Sequence, residues 1–142
     1  MLRCAGDCAV IEKSPESGFH ATELAFGYSA EGLAIAAFGE MEVLVRDVTI
    51  MPGEGTGWHY HPGPVIVIVL EGEVTQCRPD GGSRKYRAGE ALVEPGDPEW
   101  IHDGRNLGDR PVRMIATYLL PAGAPPAVQV LPPSRPAPRD VS

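Results

Sequence analysis

His59 and His61 stand two residues apart in the stretch GEGTGWHYHPGPVIVIVLEG, residues 53–72. In a β-strand, side chains at i and i+2 share a face, so both imidazoles point one way while Trp58 and Tyr60 point the other. Two neutral ring nitrogens on one face can hold a single metal ion at about 2 Å. A third donor has to come from elsewhere in the chain. His102, about forty residues on, is the best candidate, so His59, His61 and His102 form the expected metal-binding set. Glu54, Glu94 and Glu99 lie near the histidine-bearing segments, and any of them could add a ligand or hold an imidazole from behind. Cys77 reads first as a small buried hydrophobe, with thiolate ligation as the alternative. His20 stands alone at the edge of a predicted strand and is left outside the site. Imidazole donors do not choose a metal: Fe, Zn, Ni, Cu and Mn all fit.

The elements that must position these groups read as short strands. EVLVRDVTIM, residues 42–51, is rich in β-branched residues and ends at the Pro52-Gly53 turn. VIVIVL, residues 65–70, is apolar on both faces, as in a strand held inside a core. Residues 73–78 and 84–87 flank a PDGG hairpin turn, the second of them as a polar edge strand. Residues 91–94 form a short strand, and VRMIATYLL, residues 112–120, the last strong one. Upstream, ATELAF (21–26) and LAIAAF (33–38) are two further candidate strands. About nine or ten short strands separated by glycine and proline turns are the pattern of an all-β sandwich or barrel. Three regions are expected: an irregular arm over 1–18, a barrel over 19–120 and a proline-rich extended tail over 121–142, in which VQVL could add a short edge contact.

Composition narrows the function classes. The chain has 142 residues, one domain by size, and a net charge of −7 without a basic cluster, which argues against nucleic-acid binding. No run approaches 18 apolar residues, so no transmembrane helix is expected. The N-terminal MLRCAGDCAVIEKS lacks a continuous apolar segment and is interrupted by Asp7, so it does not read as a secretory signal; the expected location is cytoplasmic. Cys4, Cys8 and Cys77 read as free thiols, although Cys4 and Cys8 have the spacing of half a zinc site.

The spacing around the histidines resembles the cupin family. Its first motif runs glycine, five residues, H-x-H, three or four residues, glutamate, six residues, glycine; Gly53, His59, His61 and Gly72 match it. Its second runs glycine, five residues, P-x-G, two residues, histidine, three residues, asparagine; Gly89 and Pro95 match, and His102 with Asn106 keeps the last spacing. The resemblance covers roughly residues 40–120. Two departures matter. Val65 stands at the glutamate position, with Ile66 at the other permitted spacing, and the segment from Pro95 to His102 is two residues longer than the motif, which would put Trp100 at the histidine position.

The resemblance implies a single cupin-type β-barrel, a jelly roll or double-stranded β-helix, with a divalent metal at its mouth. Three neutral histidines would leave a +2 centre with three open positions in an octahedral shell. Three-histidine cupin sites resemble those of Fe(II) dioxygenases that act on thiols or diketones. The expected function is therefore a metal-binding cupin acting on, or binding, a small oxygen-containing molecule, with a dioxygenase-like activity as the enzymatic form. The alternative is a non-catalytic binding or structural module, which the missing glutamate favours. A homodimer is expected, through pairing of the 21–26 segment across a two-fold axis.

Overall fold

The computed structural model describes residues 18–134. Nine strands follow one another: β1 (Met41–Ile50), β2 (His59–Tyr60), β3 (Val65–Glu71), β4 (Glu73–Cys77), β5 (Ser83–Arg87), β6 (Ala91–Glu94), β7 (Asp103–Arg105), β8 (Val112–Pro121) and β9 (Val128–Gln129). All strand pairs are antiparallel. One sheet has the order β1-β8-β3-β6, another β5-β4-β7, and β2 pairs β9. Bridges from Gly55 to Arg105 and from His59 to His102 tie the β2–β9 pair to the β7 segment, so the two smaller sheets form one wall facing the four-stranded sheet. No described helix is long and apolar enough to cross a membrane.

The strand patterns explain the packing. In β8 the inward side chains are Val112, Met114, Ala116, Tyr118 and Leu120, alternating with more exposed neighbours. In β3, Val65, Val67 and Val69 are buried while Ile66, Ile68 and Leu70 are half-buried, the two-sided burial expected of an apolar run. Ile50, Val74 and Leu92 complete the core. Each such aliphatic side chain contributes about 1.5–3 kcal/mol on burial.

Turns set the ends of these strands. The motif glycines Gly53, Gly72 and Gly89 have φ of 82°, 75° and 91°, a region other residues enter only with strain. At Gly63 a Cβ would run into the backbone carbonyl of Leu119, and at Gly96 into the backbone of Gly63. The loop between β2 and β3 therefore packs on bare backbone against β8 and against the loop after β6.

The N-terminal part differs from expectation. Neither 21–26 nor 33–38 is a strand; the 18–40 segment is irregular, turns at residues 30–31 and makes one parallel bridge, Tyr28 to Glu90. Tyr28 N–H donates to Gly89 O at 2.8 Å and Ala91 N–H to Tyr28 O at 3.0 Å. Leu24, Phe26 and Phe38 stay largely exposed. Among the described residues, the 18–40 segment forms β-pairing with the barrel only through the Tyr28–Glu90 bridge. The Cys4–Cys8 pair and the end of the proline-rich tail lie outside the described residues.

Candidate metal centre

His59 lies on β2, His61 just beyond it and His102 just before β7. All three side chains are buried. The His59–His102 bridge closes with two backbone hydrogen bonds of 3.0 Å, one in each direction. Directly opposed residues of an antiparallel pair share a face, so this bridge sets the two imidazoles side by side. Their ring centroids are 4.2 Å apart, and His61 lies 4.8 Å from His59 and 5.1 Å from His102. One nitrogen from each ring can be chosen so that all three lie within 4.8 Å of one another.

The ring orientations are held from outside. His59 Nδ1 lies 2.7 Å from Gly57 O, His61 Nδ1 2.8 Å from Pro126 O and His102 Nδ1 3.3 Å from Trp100 O. A carbonyl only accepts, so each Nδ1 carries the proton and donates. In the neutral ring each Nε2 is then a bare lone pair. Backbone carbonyls behind the ring are a common means of fixing metal-ligating imidazoles. The Gly57 support is itself fastened: Gly57 N–H donates to Asp103 Oδ1 at 3.0 Å, and Arg105 Nε pairs with Asp103 Oδ2 at 2.7 Å.

Of the three acidic candidates, the fold brings one to the histidines. Glu94, at the end of β6, places Oε2 2.8 Å from His61 Nε2 and Oε1 3.5 Å from His102 Nε2. Gln76 Nε2 donates to Glu94 Oε1 at 2.8 Å. Glu54 and Glu99 are exposed and line no part of the histidine cavity, and Cys77 is also outside it. His20 is exposed, away from the site. Asn106 braces its loop: Nδ2 donates to Ile50 O at 2.9 Å and Arg110 O at 2.6 Å.

Electrostatics follow from this packing. Burial disfavours the charge on Glu94, but hydrogen bonds and charge from His102 and His61 outweigh it and hold the carboxyl well below its usual range. Burial also works against protonating His61, yet the Glu94 carboxylate reverses the balance and raises it above the ordinary imidazole value. His59 is shifted down, chiefly by burial. With Nδ1 protonated, the Nε2 of His61 and Oε2 of Glu94 are two acceptors in contact. A cation, either a proton or a metal ion, has to sit between them. The Nε2 atoms of His61 and His102 are buried without a hydrogen-bond donor or acceptor of good geometry, as expected of ligand atoms that await an ion. The donor set fits a divalent metal.

The three imidazoles open onto a cavity of about 60 Å³ inside the barrel. Val67, Val74, Leu92, Met114 and Ala116 form its apolar wall, and Gln76, Glu94 and Tyr118 its polar part.

A family model described as "Cupin domain" matches residues 46–118. That span is more than half the chain, and it contains both histidine segments and the jelly-roll strands β2 to β7. The chain belongs to the cupin family. Among solved structures, this cupin is similar to an oxalate oxidase in complex with the substrate analogue glycolate, at 28% identity and TM-score 0.51, over 62% of this chain and 46% of that one. It is similar to the polyketide cyclase RemF from Streptomyces resistomycificus, at 22% identity and TM-score 0.53, over 63% of this chain and 61% of that one. It also resembles the DMSP lyase DddQ from Ruegeria pomeroyi DSS-3, at 20% identity and TM-score 0.55, over 66% and 45%. The last two likenesses concern the fold alone, and this cupin spans less than two thirds of each of these chains. A search of curated proteins finds no match.

Several supports of the site were not among the residues singled out from sequence, including Gly57, Gln76, Asp103, Arg105 and Pro126. Pro126, in the proline-rich segment, acts through a backbone carbonyl, which carries no residue-type signal. Gln76 lies on β4 in a run that reads only as a strand.

Proposed function

We propose that this cupin binds one divalent metal ion on His59, His61 and His102 and presents it to a small oxygen-bearing molecule inside the barrel. The observation that carries the reading is the convergence of three buried imidazoles, each with Nδ1 turned back onto a backbone carbonyl. When bound, a metal at this place supplies Lewis acidity and, for a redox-active ion such as Fe(II), dioxygen chemistry. The chain's own contribution is to fix the ring tautomers, to exclude bulk water with the apolar wall and to limit ligand size. The similarity to an oxalate oxidase structure holding glycolate supports a small oxygen-rich ligand. A dioxygenase-like activity is the enzymatic form of this reading.

A second reading, a non-catalytic binding module, is favoured by one feature. Apart from the histidines and Glu94, the cavity is mostly lined by aliphatic side chains and offers only Tyr118 as a further titratable group. Oxygen consumption by Fe(II)-loaded protein over a panel of diketones, thiols, catechols and small hydroxy acids separates the two. Turnover on one class that disappears in His102→Gln supports the enzyme. Retained metal with no turnover on any class leaves the binding module.

The reading extends to assembly: the chain forms a homodimer by pairing of its 21–26 segment across a two-fold axis. Leu24 and Phe26, 86% and 67% exposed in the single chain, support this. A monomeric mass by light scattering would contradict it.

A further inference from the structure

We infer that Glu94 is a fourth protein ligand of the metal, supplying from β6 the carboxylate that the family's first motif places on β3 at position 65. The inference rests on the three-histidine centre proposed above. Val65 and Glu94 are direct partners in the β3–β6 register. Directly opposed residues on one face have Cβ atoms about 4.5–5.5 Å apart, so a carboxylate carried by either can reach the same space. Val65 is fully buried, and Glu94 fills the position next to it.

The distances fit shared coordination. Ligand atoms at about 2.0–2.2 Å from one ion are separated by roughly 2.8–3.6 Å along the edges of an octahedron or tetrahedron. The Glu94 oxygens lie 2.8 and 3.5 Å from the Nε2 atoms of His61 and His102, within that range. Gln76, itself buried, donates to Oε1 and so holds the carboxylate plane towards the histidines. A carboxylate buried among imidazole lone pairs costs several kcal/mol unless a cation neutralises it. With an ion present, the same group lowers the charge of the centre from +2 to +1. With Oε1 held by Gln76 and Oε2 as the ligand atom, two positions of an octahedral shell remain in place of three, enough for one bidentate oxygen ligand.

Glu94→Gln and the exchange variant Val65→Glu/Glu94→Val test this. Affinity is read for Mn(II) and Zn(II) by competition with a chromogenic chelator, and folding of the metal-free proteins by thermal melting. Loss of the carboxylate is expected to weaken Mn(II) binding by about 10²-fold or more. Zn(II) should weaken less, because Mn(II) depends more on hard oxygen donors. The exchange variant is expected to recover Mn(II) affinity to within about tenfold of wild type. Folded Glu94→Gln that binds both ions within about threefold of wild type overturns the inference and leaves the three-histidine centre standing. Wild type that binds neither ion overturns the centre itself. If Glu94→Gln does not fold, the exchange variant decides: Mn(II) binding supports the role, and a folded exchange variant without it refutes the role.

Discussion

Replacing His102 by glutamine removes one donor from the centre while keeping most of the side-chain volume. His102 is 1% exposed, and its ring touches those of His59, His61 and Trp100, so an alanine would also open a cavity. Metal binding to a closed protein site is worth about 10–16 kcal/mol, shared among its donors. With three histidines and one carboxylate, each donor carries about 2.5–4 kcal/mol. At 1.4 kcal/mol per factor of ten, His102→Gln should weaken metal binding by about 10²- to 10³-fold. Its amide can also donate to Glu94 Oε1, which lies 3.5 Å from His102 Nε2, and so helps the metal-free fold. The assay is Zn(II) competition titration, with thermal melting of the same metal-free sample. Affinity within about threefold of wild type, in a protein that still melts cooperatively, would refute the place given to His102.

The His61–Glu94 pair makes the stability of the metal-free protein depend on pH. His61 is raised above the ordinary imidazole value of about 6.5, so its contribution is fully present below about that pH and is lost as pH rises through the folded value. Glu94 is depressed below 4.5, so its contribution is present above that pH and is lost on acidification through the folded value. The melting-temperature difference between wild type and His61→Gln, both metal-free, should therefore be largest between about pH 4.5 and 6.5 and shrink on the alkaline side; a difference flat from pH 5 to 9 would count against the coupled pair. Ending the chain after Ala124 removes β9 and the Pro126 carbonyl behind His61, and should weaken metal binding by about 10-fold or more, read by the same titration. Equal affinity in the truncated chain would show that the tail does not orient the ring.

The barrel was legible because its core strands carry their own signals. The alternation of β8, the apolar run of β3 and the motif glycines with positive φ are properties of single segments. The two-residue excess before His102 was a departure in the motif but has a plain local account. Asp97 Oδ1 accepts Glu99 N–H at 2.9 Å and its carbonyl accepts Trp100 N–H at 3.0 Å, a compact turn that takes up the extra length and returns His102 to the bridge with His59. What depended on pairing between distant segments was not legible. Three glutamates had equal claims until the β3–β6 register set Glu94 opposite Val65. The 21–26 and 33–38 segments have strand-like composition, yet a strand needs a neighbouring edge, and composition does not report one. Pro126 acts through its main chain, where one residue looks like any other.

Metal content of the protein, purified without chelator and without added metal and then dialysed against a mixture of divalent ions, tests the centre most directly. Elemental analysis should give about one equivalent of divalent metal per chain in the wild type and a small fraction of that in a variant with His59, His61 and His102 all replaced by glutamine. Folded wild type that retains no more metal than the triple variant would contradict the account.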